Sequence, residues 1–108
     1  GLKLEDMDLI DIHEAFAAQV LSVTRQLESA DFAKQIGWGD EAIGKVDPDK
    51  LNVNGGSLAL GHPFGATGAR MILSMSRELQ RRKARYALLA WCAAGGLGTA
   101  IVLERVED

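Results

Sequence analysis

Residues 51–70 read LNVNGGSLALGHPFGATGAR. Within residues 55–65 lie four glycines, one proline and one histidine, His62, so the backbone is expected to turn sharply and to approach other groups closely. Pro63 follows His62 directly, and a proline suits the first turn of a helix, where its missing N–H has no partner to lose. The segment therefore predicts His62 at the start of a helix, in a setting more typical of a functional site than of a packing element.

The patterns on either side of this segment predict alternating strands and helices. The expected strands are Asp8–His13, Asn52–Asn54, Arg85–Cys92 and Thr99–Val106, and the expected helices are Glu14–Glu28, Ala30–Ile36 and Gly65–Lys83. The link Ala93–Gly98 is too short for a crossover helix, so the last two strands are expected to be antiparallel neighbours. The near-continuous apolar run of Arg85–Cys92 is typical of a strand buried on both faces. This order predicts an α/β domain with a mixed sheet packed by helices.

Composition narrows the classes of protein to which the chain can belong. Its 108 residues carry a formal net charge of −3, which gives no electrostatic reason to expect a nucleic acid or an acidic membrane as partner. The longest apolar run, Tyr86–Ala94, is far shorter than a membrane-spanning helix, and the first residues lack a signal-peptide core, which predicts a protein that is not secreted. Cys92 is the single cysteine and only two histidines are present, too few ligands for a structural zinc site.

Three chemically active side chains lie where predicted strands or turns end: His13, His62 and Cys92. Taken singly, each has an ordinary structural explanation. A lone cysteine usually behaves as an inert, small apolar residue, and a histidine is often a structural residue whose hydrogen bonds are all made. Gly95–Gly98 joins two predicted strands and precedes no helix, so a tight hairpin explains it better than a phosphate cradle. In combination they indicate acyl chemistry, because an imidazole favours the thiolate and the amides after Cys92 can stabilise an oxyanion.

Three blocks of this chain resemble the ordered C-terminal motifs of the thiolases. They are HEAFA at residues 13–17, NVNGG at 52–56 leading into GHPFGATGAR at 61–70, and CAAGGLG at 92–98. The resemblance implies the C-terminal half of the thiolase fold, in which two similar halves with mixed five-stranded sheets form a layered α-β-α-β-α body. It also implies the thiolase reaction, in which CoA cleaves 3-ketoacyl-CoA to acetyl-CoA and a shortened acyl-CoA, or the reverse Claisen condensation.

The resemblance assigns roles to individual residues. His62 is expected to activate the nucleophilic cysteine and to bind a thioester oxygen in one oxyanion hole. Cys92 is expected to be the acid/base, and the amide of Ala94 a donor of the second oxyanion hole. Phe64 and Gly95 are expected to contact the substrate. Coenzyme A enters as a substrate, so no cofactor and no metal are expected.

His13 departs from the common thiolase pattern. Many thiolases have an asparagine there that holds a water in the first oxyanion hole, so His13 is assigned to the catalytic set. Together with Phe64 it resembles the branch of the mitochondrial trifunctional β-subunit and its bacterial counterparts. That branch implies medium or long acyl chains, a homo-oligomer, a hydratase/dehydrogenase partner subunit, and a place in the bacterial cytoplasm or the mitochondrion.

The extent of the resemblance predicts the domain organisation. The covalent nucleophile of thiolases is a cysteine in the N-terminal half, whereas Cys92 already matches the acid/base. Residues 1–108 are therefore expected to be a C-terminal thiolase domain, incomplete at its N-terminal side, that pairs with an N-terminal half and is inactive alone.

Other classes of protein remain open at this stage. A β-ketoacyl synthase shares the layered fold, but it needs a second histidine and a different loop where Cys92 and the residues after it stand. A Cys/His acyl hydrolase would use Cys92 as its nucleophile. An inactive domain with a structural or interaction role would keep these residues without a reaction.

Overall fold

The computed structural model describes residues 1–107. Its strands are β1 (Leu9–Ile12), β2 (Tyr86–Ala93) and β3 (Leu97–Glu104). Its helices are α1 (Ala17–Leu27), α2 (Ala30–Gln35), α3 (Ser57–Leu60) and α4 (Thr67–Arg82). Single 3-10 turns lie at Leu4–Asp6, Pro48–Lys50 and Phe64–Ala66.

The three strands form one mixed sheet in the order β1-β2-β3. β1 runs parallel to β2 with Ile12 opposite Ala90, and β2 runs antiparallel to β3 with Cys92 opposite Gly98. The predicted antiparallel final pair and mixed α/β sheet are thus confirmed. The thiolase resemblance implies a five-stranded sheet for the whole half, of which residues 1–107 form these three strands.

The core has two parts because β1 is buried on both faces. Leu9 packs on the face covered by α4, whose apolar stripe includes Met75 and Leu79. Ile10 and Ile12 point to the opposite face, where Val20 of α1 packs against them. A short strand covered on both sides in this way holds its carboxyl end rigidly, and that end carries His13.

Burial of β2 differs from the prediction. Ala87 and Leu89 are fully buried, but Cys92 and Ala93 are exposed. In the first half of β2 one face is buried and the other, with Tyr86 and Leu88, is only partly buried. The prediction that this strand is buried on both faces is therefore wrong for residues 1–107.

The predicted strand Asn52–Asn54 is wrong. A single parallel bridge joins Ile10 to Leu51, and the chain then turns, with the Gly55 amide donating to the Asn52 carbonyl at 2.9 Å. Asn52 has a φ of 47°, a left-handed conformation that ends a strand and that asparagine tolerates better than most residues.

Both long helices start later than predicted. α1 begins at Ala17 rather than Glu14, because Phe16 has a φ of 76° and so lies outside the helical region. α4 begins at Thr67, after the 3-10 turn Phe64–Ala66. Within residues 1–107 no helix is both long enough and apolar enough to cross a membrane.

Candidate active site

His13 follows β1 and is held by the sheet. Its backbone amide donates to the Ala90 carbonyl at 2.8 Å, which continues the parallel ladder one residue beyond the strand. The side chain is buried, with 5% of its residue surface exposed. The sheet therefore fixes the position of the His13 backbone, and the side chains around the imidazole set the orientation of the ring.

The glycine-rich loop is attached to the same end of β1 by Asn52. Its side-chain oxygen accepts from the Ile12 amide at 2.8 Å and its side-chain nitrogen donates to the Ile12 carbonyl at 3.0 Å. The asparagine side chain thereby substitutes for the neighbouring strand that the sequence predicted here. As a result, residues far apart in the chain meet beside His13.

Glu14, which follows His13 after β1, holds α3 in place. Its Oε1 accepts from the Leu58 amide at 3.3 Å, in the first turn of the helix. A Cβ at Gly56 would lie 2.0 Å from that same oxygen. Gly56 is therefore required by the close approach of the Glu14 carboxylate.

Ser57, the first residue of α3, contacts the His13 ring. The Ser57 Oγ lies 3.0 Å from His13 Nδ1, and Arg70 of α4 donates to that Oγ from Nη2 at 3.3 Å. Arg70 also donates from Nη1 to the Gly61 carbonyl at 3.2 Å. Three segments thus converge on one imidazole.

His62 packs against His13. The ring centroids are 4.3 Å apart and the planes are inclined at 47°. His62 Nδ1 lies 2.7 Å from the Thr67 Oγ1, which places it beside the first residue of α4, as the proline argument predicts. Phe64 approaches His62 edge-on at 5.2 Å.

Burial shifts the pKa of two groups in this cluster. The pKa of His13 lies below its usual value because of burial and the nearby cationic forms of His62 and Arg70, against a smaller opposing effect of Glu14. Burial raises the pKa of Asp11 to about 6, although the Arg70 charge opposes the rise. The arrangement favours a neutral His13 at physiological pH.

Cys92 lies near His13 but makes no thiol–imidazole hydrogen bond. It is exposed at the end of β2, just before the turn formed by residues 94–96. A cavity of about 460 Å³ is lined by both Cys92 and His13, with Trp91 and residues 96–100 of the hairpin. Among residues 1–107 no hydrogen bond joins the sulfur to either imidazole, so the described residues do not show the direct Cys/His pair that the combination of these side chains indicated.

Sequence reasoning noted Glu14 beside His13, in the HEAFA block, but missed four supporting side chains of this site: Asp11, Ser57, Thr67 and Arg70. Arg70 lies near the start of α4 and reaches back to Gly61 and Ser57. The position of Asp11, two residues before His13 on a strand, was a usable signal, because alternate residues of a strand share a face.

Two further observations concern the rest of the described chain. A larger cavity of about 700 Å³ lies between residues 2–5 and 38–45 and includes none of the predicted site residues. Across the described part of the chain, no group of three or more His, Cys, Asp or Glu side chains is arranged to hold a metal ion.

Known proteins share both the sequence and the fold of this chain. Residues 1–105 match the family model described as thiolase, C-terminal domain. Over 104 residues the chain is 57% identical to the 3-ketoacyl-CoA thiolases of Aliivibrio fischeri and Photobacterium profundum, covering 96% of this chain and 24% of either relative. The chain thus spans about a quarter of the length of these curated relatives.

Solved structures match as well. Human mitochondrial 3-ketoacyl-CoA thiolase in complex with CoA superposes with a TM-score of 0.81 at 39% identity, over 99% of this chain and 23% of that chain. The Bacillus anthracis acetyl-CoA acetyltransferase superposes with a TM-score of 0.75 at 39% identity, over 97% of this chain and 22% of that chain. Motifs, family model, fold and relatives agree, and the chain belongs to the thiolase C-terminal domain family.

Proposed function

We propose that this chain is the part of the C-terminal half of a thiolase that carries the acid/base cysteine, and that the whole enzyme cleaves 3-ketoacyl-CoA with CoA, or condenses two acyl-CoA molecules in reverse. One observation carries the proposal. His13 packs against His62 at 4.3 Å and shares a cavity with Cys92, so residues from three separated motifs meet at one end of the sheet. The names of the relatives, 3-ketoacyl-CoA thiolases, support the same reaction.

The side chains supply the chemistry that this reaction needs. Cys92 takes the proton from the CoA thiol in thiolysis, or from the α-carbon of acetyl-CoA in synthesis. His62 activates the nucleophilic cysteine and, with His13, stabilises the oxygen of the thioester as it gains charge. The amide of Ala94 donates to the second developing oxyanion. A placed base and fixed donors each contribute orders of magnitude in rate.

Substrate contacts follow from the exposed residues around this end of the sheet. Phe64 is 83% exposed and Gly95 lies in the exposed β2–β3 turn, so both are available to an acyl-CoA. The human mitochondrial relative solved in complex with CoA supports CoA as the ligand. His13 together with Phe64 supports the trifunctional branch and its medium or long acyl chains.

The rest of the enzyme supplies the nucleophile. We place it in an N-terminal thiolase half, together with the remaining strands of the five-stranded sheet. Several large apolar side chains near the site are exposed, namely Phe16, Leu58, Leu60, Phe64 and Leu97. Such a surface is typical of one that another part of a protein covers. A homo-oligomer, a hydratase/dehydrogenase subunit and a place in the bacterial cytoplasm or the mitochondrion complete the proposal.

Thiolysis by the native-length protein tests the proposed function. Cys92→Ala and His62→Ala are each expected to lower kcat for acetoacetyl-CoA thiolysis by at least about 100-fold, with Ser22→Ala on the exposed side of α1 as the control. The 108-residue chain alone is expected to show no turnover. Thiolysis by that chain alone, or a fully active Cys92→Ala variant, would refute the assignment.

Covalent labelling separates the proposal from a hydrolase. Iodoacetamide labelling of the native-length protein is expected to show a second cysteine, upstream of this chain, that acetyl-CoA protects. A simple ester that leaves its acyl group on Cys92 would instead identify Cys92 as the nucleophile of a hydrolase.

A further inference from the structure

We propose that Ser57 and Arg70 are positioning residues that hold His13 as the neutral tautomer with its proton on Nε2. The inference deepens the proposed function, on which its kinetic consequence rests. The geometry that supports it stands independently of any activity.

The direction of each hydrogen bond follows from the chemistry of the three groups. A guanidinium can only donate, so in the 3.3 Å contact between Arg70 and Ser57 the serine oxygen is the acceptor. A serine hydroxyl carries a single proton. The only other side chain within hydrogen-bond distance of Ser57 Oγ among residues 1–107 is His13, through Nδ1 at 3.0 Å. Donation from Ser57 to Nδ1 is the one arrangement in which that proton has a side-chain partner among the described residues, and it leaves the imidazole proton on Nε2.

The opposite tautomer is less favourable. If Nδ1 carried the proton, Ser57 would accept from both His13 and Arg70, and its own proton would have no partner among the described residues. Ser57 is half-buried, so its hydroxyl has reduced access to water and an unmade hydrogen bond there is costly. A doubly protonated ring is disfavoured too, because His13 is buried and faces His62 and Arg70, with Glu14 alone acting the other way.

The two positioning residues are themselves held in place. Glu14 accepts from the Leu58 amide and so fixes the first turn of α3, which carries Ser57. Arg70 also donates from Nη1 to the Gly61 carbonyl. The buried carboxyl of Asp11 lies close enough to the Arg70 guanidinium for their charges to interact. Ser57 is thus constrained from the β1 side and from the α4 side.

The free end of the His13 ring is the useful one. Among the described residues every fully buried side-chain nitrogen or oxygen has a hydrogen-bond partner. Nε2 of His13 makes no hydrogen bond within residues 1–107, so it must reach the accessible surface. His62 Nδ1 likewise lies within hydrogen-bond distance of a hydroxyl, that of Thr67. His13 therefore presents an N–H donor of fixed orientation, suited to a water or a thioester oxygen in the site.

Solid-state NMR of the native-length protein labelled with ¹⁵N-histidine tests the tautomer directly. The His13 signals are assigned by their loss in His13→Asn. At pH 8 the wild-type protein is expected to show Nε2–H as the dominant form, Ser57→Ala a mixture of both tautomers, and Ser57→Thr the wild-type pattern. A wild-type Nδ1–H form, or a Ser57→Ala spectrum like that of the wild type, would overturn the proposal.

Kinetics provide a second measurement. Ser57→Ala is expected to lower kcat of thiolysis by about 10-fold to 100-fold with the KM for CoA changed less than about twofold, and Ser57→Thr to restore most of kcat. The exposed Ser22→Ala is the control. If the NMR spectra show the expected tautomers but the protein has no thiolysis activity, only the proposed function is refuted. If thiolysis is normal but Ser57→Ala leaves the tautomer unchanged, only the positioning role is refuted.

Discussion

Asp11→Asn is expected to stabilise this protein above pH 6 and to leave its stability nearly unchanged at pH 4. Asp11 is buried on β1, with 6% of its surface exposed. Burial raises its pKa from 3.8 to about 6, so the folded state disfavours the ionised carboxylate relative to the unfolded chain. Asparagine has nearly the same shape and carries no charge at any of these pH values.

The magnitude follows from linkage between proton binding and folding. Because the folded pKa is raised, the folded state binds the proton more tightly, and stability falls as pH rises from about 4 through about 6. At about 1.4 kcal/mol per pKa unit, the rise from 3.8 to about 6 corresponds to about 3 kcal/mol. This is the largest gain that Asp11→Asn can give at pH 7.

Urea denaturation at pH values from 4 to 8, followed by tryptophan fluorescence, measures the effect. The difference in unfolding free energy between Asp11→Asn and wild type is expected to grow through this range and to level off above pH 6. Asp40→Asn, at an exposed position, is the control and should show no such growth. A difference that is constant with pH, or a wild type more stable than Asp11→Asn at pH 8, would refute the reasoning.

Two further substitutions test the supports of the site, and a third tests the ion pairs of Glu78 with Arg81 and Arg82 on α4. Gly56→Ala is expected to displace the Glu14 carboxylate, whose oxygen would lie 2.0 Å from the new Cβ, and to lower the unfolding free energy measured by urea denaturation by about 1 kcal/mol. Gly65→Ala is the control, because the space around Gly65 is open. Equal effects of the two substitutions would contradict the close approach of Glu14 to Gly56. Asn52→Ala removes two hydrogen bonds to β1 and leaves alanine in a left-handed conformation, so it should lower the unfolding free energy by about 2 to 3 kcal/mol. A decrease below about 0.5 kcal/mol would show that the asparagine does not substitute for a strand. Glu78→Gln should destabilise the protein by about 1 kcal/mol at pH 7. Because hydrogen bonds from nearby arginines lower the pKa of Glu78 to about 2, the difference in unfolding free energy between variant and wild type should vanish as pH falls from 4.5 towards 2. A difference that persists at low pH would contradict the role of the ionised carboxylate.

The sequence by itself determined the features that depend on local spacing. The strands β1, β2 and β3, the two long helices and the antiparallel pair β2–β3 follow from periodicity and loop length, which act over a few residues. Pro63 likewise predicted the position of His62 beside the start of a helix. The thiolase motifs were readable for the same reason, since each is a short run of consecutive residues.

Only the tertiary structure decided how these runs meet. Asn52 lies 40 residues from Ile12, and Ser57 lies 44 residues from His13, so no local pattern could predict that an asparagine side chain replaces a strand or that a serine orients an imidazole. The exposure of Cys92 was equally inaccessible, because it depends on which elements pack over that end of the sheet. Side-chain hydrogen bonds between distant segments are set by the geometry of the folded chain, and in this protein they orient the ring of His13.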